Sequence, residues 1–248
     1  MTFRSKLQSG RILAGTFIKT PSAEVIEIMA LAGLNFICFD TEHSSITRRE
    51  LDWCLALSRA VHLPSLVRLT HASAESVLQA LDSGATGVVV PHVGSLHKAE
   101  EVARWARFGR GGRGYAGSTR AGAFTAQTMD ETLAGGKEPM VIAQIEDPSA
   151  LDEVEAIAAL DGIDALFFGA ADMAVGLGLQ SSSGEVVEQA FERVAKAAKA
   201  AGKPLAAYCA TPAAMFDVAR RGVTMAFVGS DQGMVLAGAK AIAAAMHS

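Results

Sequence analysis

Two acids, Glu146 and Asp172, offer the most direct chemistry in this chain. Each stands just beyond a short apolar run: Met140-Val-Ile-Ala-Gln-Ile145 before the first and Ala165-Leu-Phe-Phe-Gly169 before the second. Runs this short with β-branched and aromatic content read as buried parallel strands, and in an α/β barrel the active site sits where those strands end. Two carboxylates at neighbouring strand ends suit a hard divalent cation. With no Cys and no nearby His, the set favours Mg2+ or Mn2+ over zinc, and two protein ligands leave room for a chelating α-keto acid. Both acids also stand near helix starts, where a carboxylate caps free N–H groups. Cation ligands and helix caps are both open readings at this point.

Asp40-Thr-Glu-His43 follows Leu34-Asn-Phe-Ile-Cys-Phe39, and Arg68 ends the run Leu63-Pro-Ser-Leu-Val67. A neutral imidazole is matched to proton transfer at physiological pH, so His43 is a candidate base, with Glu42 beside it and Asp82 as a second candidate partner. A half-buried His making one structural bond is the plainer alternative, and His71 and His92 read as pocket wall. Arg68 puts a permanent charge at the end of an apolar strand, which calls for a substrate oxygen, developing transition-state charge, or an acid such as Glu42. Gly169-Ala-Ala-Asp172 passes into a helix start through small residues, so backbone near Gly169 and Ala171 can approach a substrate carboxylate. Lys19, ending Gly15-Thr-Phe-Ile-Lys19, is a candidate Schiff-base nucleophile, although Thr20-Pro-Ser22 suggests an exposed turn there.

The elements that must position these groups alternate from end to end. Strand-like runs fall near 12–18, 35–40, 65–69, 86–91, 140–145, 164–168, 204–208 and 223–228. Helical segments fill the gaps: 23–32 after Ser22, 48–61 after Thr47 and 74–81 after Ser73. Gly33, Gly84, Gly162, Gly202 and Gly222 stand where helices hand over to strands. Eight strands in 248 residues predict one (β/α)8 barrel, with 1–248 as a single domain. Residues 108–139 are the exception, a long connection rich in Gly and Arg that reads as a functional loop or lid. Its glycine spacing imitates a dinucleotide motif without the required strand-turn-helix context.

Half the residues are hydrophobic and 19% are charged, enough for one large core, and the net charge of -4 gives no basic field for nucleic acid. Three scattered cysteines, no signal-like leader and no membrane-length apolar run predict a soluble cytoplasmic protein.

Several segments together resemble the HpcH/HpaI family of metal-dependent pyruvate aldolases: Phe39-Asp-Thr-Glu-His43, Leu66-Val-Arg68, Leu81-Asp-Ser-Gly84 with Val90-Pro91, Gly112-Arg-Gly114, Gln144-Ile-Glu146, Phe168-Gly-Ala-Ala-Asp172 and Val228-Gly-Ser-Asp231. They span nearly the whole chain in order. The resemblance implies a TIM barrel that binds pyruvate on Mg2+, Mn2+ or Co2+ through Glu146 and Asp172. It further implies that Arg68 contacts the pyruvate oxygen, that His43 with Asp82 moves protons, and that backbone around Ala171 holds the pyruvate carboxylate. A hexamer that exchanges its last helix between subunits is the implied assembly, and the apolar stretch 234–246 is compatible with it. Departures at Ala170, His71 and Gly122 leave the aldehyde partner open. The implied reaction is reversible cleavage of a 4-hydroxy-2-oxo acid into pyruvate and an aldehyde. Competing readings are a Schiff-base aldolase using Lys19, a CoA-ester lyase of the same barrel group, and a non-catalytic keto-acid binder.

Overall fold

Eight parallel strands close into a barrel in sequence order in this computed structural model, which describes residues 2–246. They are β1 (Leu13–Ile18), β2 (Phe36–Asp40), β3 (Ser65–Arg68), β4 (Gly87–Val90), β5 (Met140–Ile145), β6 (Ala165–Phe168), β7 (Leu205–Cys209) and β8 (Val223–Ser230). The helices are α1 (Phe3–Gln8), α2 (Ala23–Leu31), α3 (Arg48–Ala60), α4 (Ala74–Asp82), α5 (Leu96–Trp105), α6 (Met129–Gly135), α7 (Val154–Ala159), α8 (Ala170–Gly176), α9 (Glu185–Ala200), α10 (Pro212–Arg220) and α11 (Asp231–Ala245). The expected caps form: Ser22 and Ser73 accept from the N–H three residues on, and Thr47 makes a reciprocal box with Glu50. All eight predicted strands exist, and β8 runs two residues further than its apolar pattern.

Alternate strand residues fill the barrel, with Phe17, Phe36, Phe167 and Phe227 forming an aromatic stack at its centre. The outward-facing residues of the same strands pack under the helix layer. Below the stack, α1 seals the N-terminal end, which is the floor: Phe3 and Leu7 are buried there, Phe3 meets Phe36 edge-on at 5.7 Å, and Arg4 pairs with Asp164. No helix among the described residues is long and apolar enough to cross a membrane.

One expectation changes with the topology. Residues 108–139 join α5 to β5, so they lie at the floor, packed against the end of α4 through Ala121 N–H to Asp82 C=O and Arg113 to Asp82. A loop at the floor cannot serve as a lid over its own barrel's mouth. Helix α11 leaves the barrel with every residue from Gln232 to Met246 exposed, Val235 and Ile242 each at 71%.

Candidate active site

The mouth of the barrel gathers its charge on the ends of β1 to β6. Asp40, the last residue of β2, is fully buried and is held by a two-pronged grip from Arg68 on the neighbouring strand: Nε to Oδ1 at 3.0 Å and Nη2 to Oδ2 at 2.7 Å. Its Oδ1 also accepts the backbone N–H groups of Glu42 and His43, which turns the chain sharply after the strand. Burial works to raise the Asp40 carboxyl, but the bonds and charge of Arg68 outweigh it and hold the group below the usual carboxylate range. Burial likewise opposes the charge on Arg68, and Asp40 more than offsets it. Arg68 completes its surroundings with Glu42 at 3.4 Å and the face of Phe17 at 4.7 Å, and it lines the cavity above.

Glu146 stands on the far side of the mouth, just past β5. Only 2% of it is exposed. One oxygen accepts the His92 backbone N–H at 2.8 Å and the other accepts from the Gln144 amide, so the carboxylate is aimed by its neighbours. Gly169 at the end of β6 makes room for it: a Cβ there would lie 2.6 Å from Glu146 Cβ and 2.7 Å from its carboxylate. Burial, with the added charges of Asp172 and Glu42, pushes Glu146 up to about 7, against the pull of His92. Asp172 is therefore close enough to be felt by Glu146, and the first turn of α8 sets it in the cavity wall with Gly169 and Ala171.

The donors around Glu146 also include a histidine. Glu42, His92 and Glu146 each offer a ligand atom within 4.8 Å of the others. His92 holds φ +54, a left-handed conformation rare outside glycine, and its Nδ1 lies 3.1 Å from Asp147 Oδ1. Burial tends to lower the His92 pKa, but the Asp147 bond and the nearby acids raise it overall. His92 thus stands among the acids at the mouth. Its sequence cue is its place just beyond β4, whereas the strained backbone that turns it toward Glu146 has no cue.

His43 is half exposed at the mouth, 3.7 Å from Glu42, beyond a direct hydrogen bond. Its expected partnership with Asp82 does not form within the chain. Helix α4 carries Asp82 down to the floor, where Arg113 Nε bonds it at 2.9 Å. Lys19 is not on an exposed turn: its Nζ lies 3.2 Å from Asp40 and it lines the cavity. That cavity has a volume of about 530 Å3 and runs from Arg68, Gln144 and Asp172 past Tyr208 toward Val218 and Arg221.

A carboxylate cluster with one buried acid pushed up toward neutrality is a fitting receptor for a divalent cation, and the mixed oxygen and imidazole donors suit Mn2+ or Co2+ as well as Mg2+. The chain as a whole is similar to known proteins. The hydroxypyruvate/pyruvate aldolase of Roseovarius nubinhibens is 30% identical over 207 residues, covering 81% of this chain and 80% of that protein. The enzyme of the same name from Paraburkholderia phytofirmans is 33% identical over 207 residues, covering 80% and 79%. An HpcH/HpaI aldolase/citrate lyase family protein from Burkholderia cenocepacia superposes with a TM-score of 0.93 at 31% identity, covering 99% of this chain and 98% of that one. The sequence profile of the HpcH/HpaI aldolase/citrate lyase family matches residues 13–237, from the first strand into the last helix, and on this ground the chain belongs to that family.

Proposed function

We propose that the protein is a divalent-metal-dependent (class II) aldolase of the cytoplasm that reversibly cleaves 4-hydroxy-2-oxo acids into pyruvate, or hydroxypyruvate, and an aldehyde. The observation that carries this reading is Glu146, a buried carboxylate pushed up to about 7 amid Asp172, Glu42 and His92. Glu146 and Asp172 are the ligands in this reading, with His92 and Glu42 at the edge of the same cluster. When bound, the cation supplies Lewis acidity to the keto-acid oxygen.

The side chains divide the remaining work. His43 takes the proton of the C4 hydroxyl as the C3–C4 bond breaks, which leaves the aldehyde carbonyl and sends the bonding pair toward the keto-acid half. Arg68 faces the oxygen on which that charge collects. Because Asp40 and Glu42 already hold the guanidinium in place, little reorganisation is needed as charge develops. Return of a proton to C3 completes the keto acid. Backbone at Gly169 and Ala171 receives its carboxylate in this scheme, and the space toward Tyr208 takes the aldehyde.

The test is deuterium exchange at the pyruvate methyl, read by NMR with added Mg2+, Mn2+ or Co2+. Exchange requires proton transfer, so a non-catalytic binder shows none. EDTA and Glu146→Gln are each expected to lower exchange by about 10^3; unchanged exchange after both would refute the proposal. The Schiff-base alternative is opposed by the contact of Lys19 Nζ with Asp40 at 3.2 Å, which ties the amine to a buried acid. Borohydride with pyruvate is accordingly expected to leave Lys19 unmodified.

A further inference from the structure

We propose that Lys19 selects the second substrate, receiving a carboxylate on the aldehyde, so that the preferred acceptor is an aldehyde acid and not a neutral aldehyde. This rests on the aldolase reading above and deepens it.

The first support is that Asp40 does not need Lys19. Its Oδ1 already accepts from Arg68 Nε and from the N–H groups of Glu42 and His43, and its Oδ2 accepts from Arg68 Nη2 at 2.7 Å. Lys19 adds a second cation at 3.2 Å to a charge that Arg68 has neutralised. An ammonium carries three donors, and Asp40 is the single partner of this one among the described residues. The side chain is 25% exposed and lines the cavity, so its other donors face a space that a substrate enters.

The second support is the way the residue is mounted. Asp231, 3% exposed at the start of α11, accepts the backbone N–H groups of Lys19 and Thr20 at 3.0 and 2.9 Å. The end of β1 is thereby tied to the end of β8, so Lys19 leaves from a fixed point on the rim.

The third support is position around the ring. In a closed barrel of eight strands in sequence order, β1 lies opposite β5, so Lys19 faces the cluster at Glu146 from across the mouth. A keto acid at the cation site of Glu146 and Asp172 would fill the β5–β6 side. Its bond partner, whose hydroxyl is served by His43 after β2, extends toward β1 and β8, where Lys19 and Ser230 line the wall. One ammonium with two spare donors suits a carboxylate.

The experiment uses the full chain with Mn2+ and pyruvate and compares matched acceptors, succinic semialdehyde against butanal. The readout is the ratio of their kcat/KM values. The wild type is expected to favour the anionic acceptor by about tenfold or more, Lys19→Met to lower that ratio by about tenfold, and Lys19→Arg to restore it. A ratio that is the same in wild type and Lys19→Met overturns the proposal, even if both rates fall, because a purely structural role through Asp40 moves both acceptors alike. Thermal melting identifies a variant that fails to fold, in which case the comparison of Lys19→Gln with Lys19→Arg decides. Absence of methyl exchange in the wild type would instead refute the aldolase reading, whereas exchange without any preference for the anionic acceptor refutes only the role of Lys19.

Discussion

Glu146 offers the same two oxygens to a proton and to a cation, and its burial makes the competition measurable. Its pKa is raised in the metal-free fold from 4.5 to about 7, so the folded state holds the proton more tightly than the unfolded chain. That contribution to stability is complete below about 4.5 and is lost as pH rises through about 7. Cation binding runs the other way. It needs the carboxylate, so affinity for Mn2+ is expected to rise about tenfold per pH unit up to about 7 and then level off. Calorimetric titration from pH 5 to 8 checks this, and Glu146→Gln should flatten the profile. Arg68 makes a second case. Lysine keeps a charge but cannot grip both oxygens of Asp40, so Arg68→Lys is expected to lower kcat by about 10^2 while the protein stays folded. Arg68→Ala leaves the buried Asp40 with Lys19 as its remaining cation and should destabilise the fold by about 3 kcal/mol, seen in denaturant unfolding.

At the scale of elements, the strands set the site because each carries its functional group on its last residue or just past it. That much was legible in the chain: apolar runs ending in Asp40, Arg68 and Glu146 announce strands whose C-terminal ends carry charge. The partnerships were less legible. Asp82 is close to Arg68 in sequence, yet one helix of nine residues takes it to the opposite end of the barrel. Length marked 108–139 as a lid, whereas its order, after a helix and before a strand, places it at the floor. His92 owes its place beside Glu146 to a left-handed backbone that residue type does not encode. Gly169 lets β6 and its turn come close to Glu146, and Gly169→Ala should displace that carboxylate. The expected outcome is a 10- to 100-fold loss of Mn2+ affinity at unchanged circular dichroism, on the basis that a forced methyl costs about 1–3 kcal/mol.

For the whole molecule, the informative feature is the surface that one chain leaves bare. Fifteen consecutive exposed residues of an apolar, Ala-rich helix at the C-terminus, Met234, Val235, Leu236 and Ile242 among them, form a surface that monomers in water seldom display. A homo-oligomer, such as the hexamer that the family resemblance implies, would bury it. Light scattering is expected to give a multimer for the wild type and a smaller species for a Val235→Glu, Ile242→Glu double variant. The floor, closed by α1 through Phe3 and Leu7, carries a further consequence for traffic. With one end stoppered, everything that reacts must come and go by a single doorway, and whatever sits deepest is first in and last out. Product-inhibition kinetics should accordingly show a compulsory sequence, with the keto acid arriving ahead of the aldehyde and departing after it.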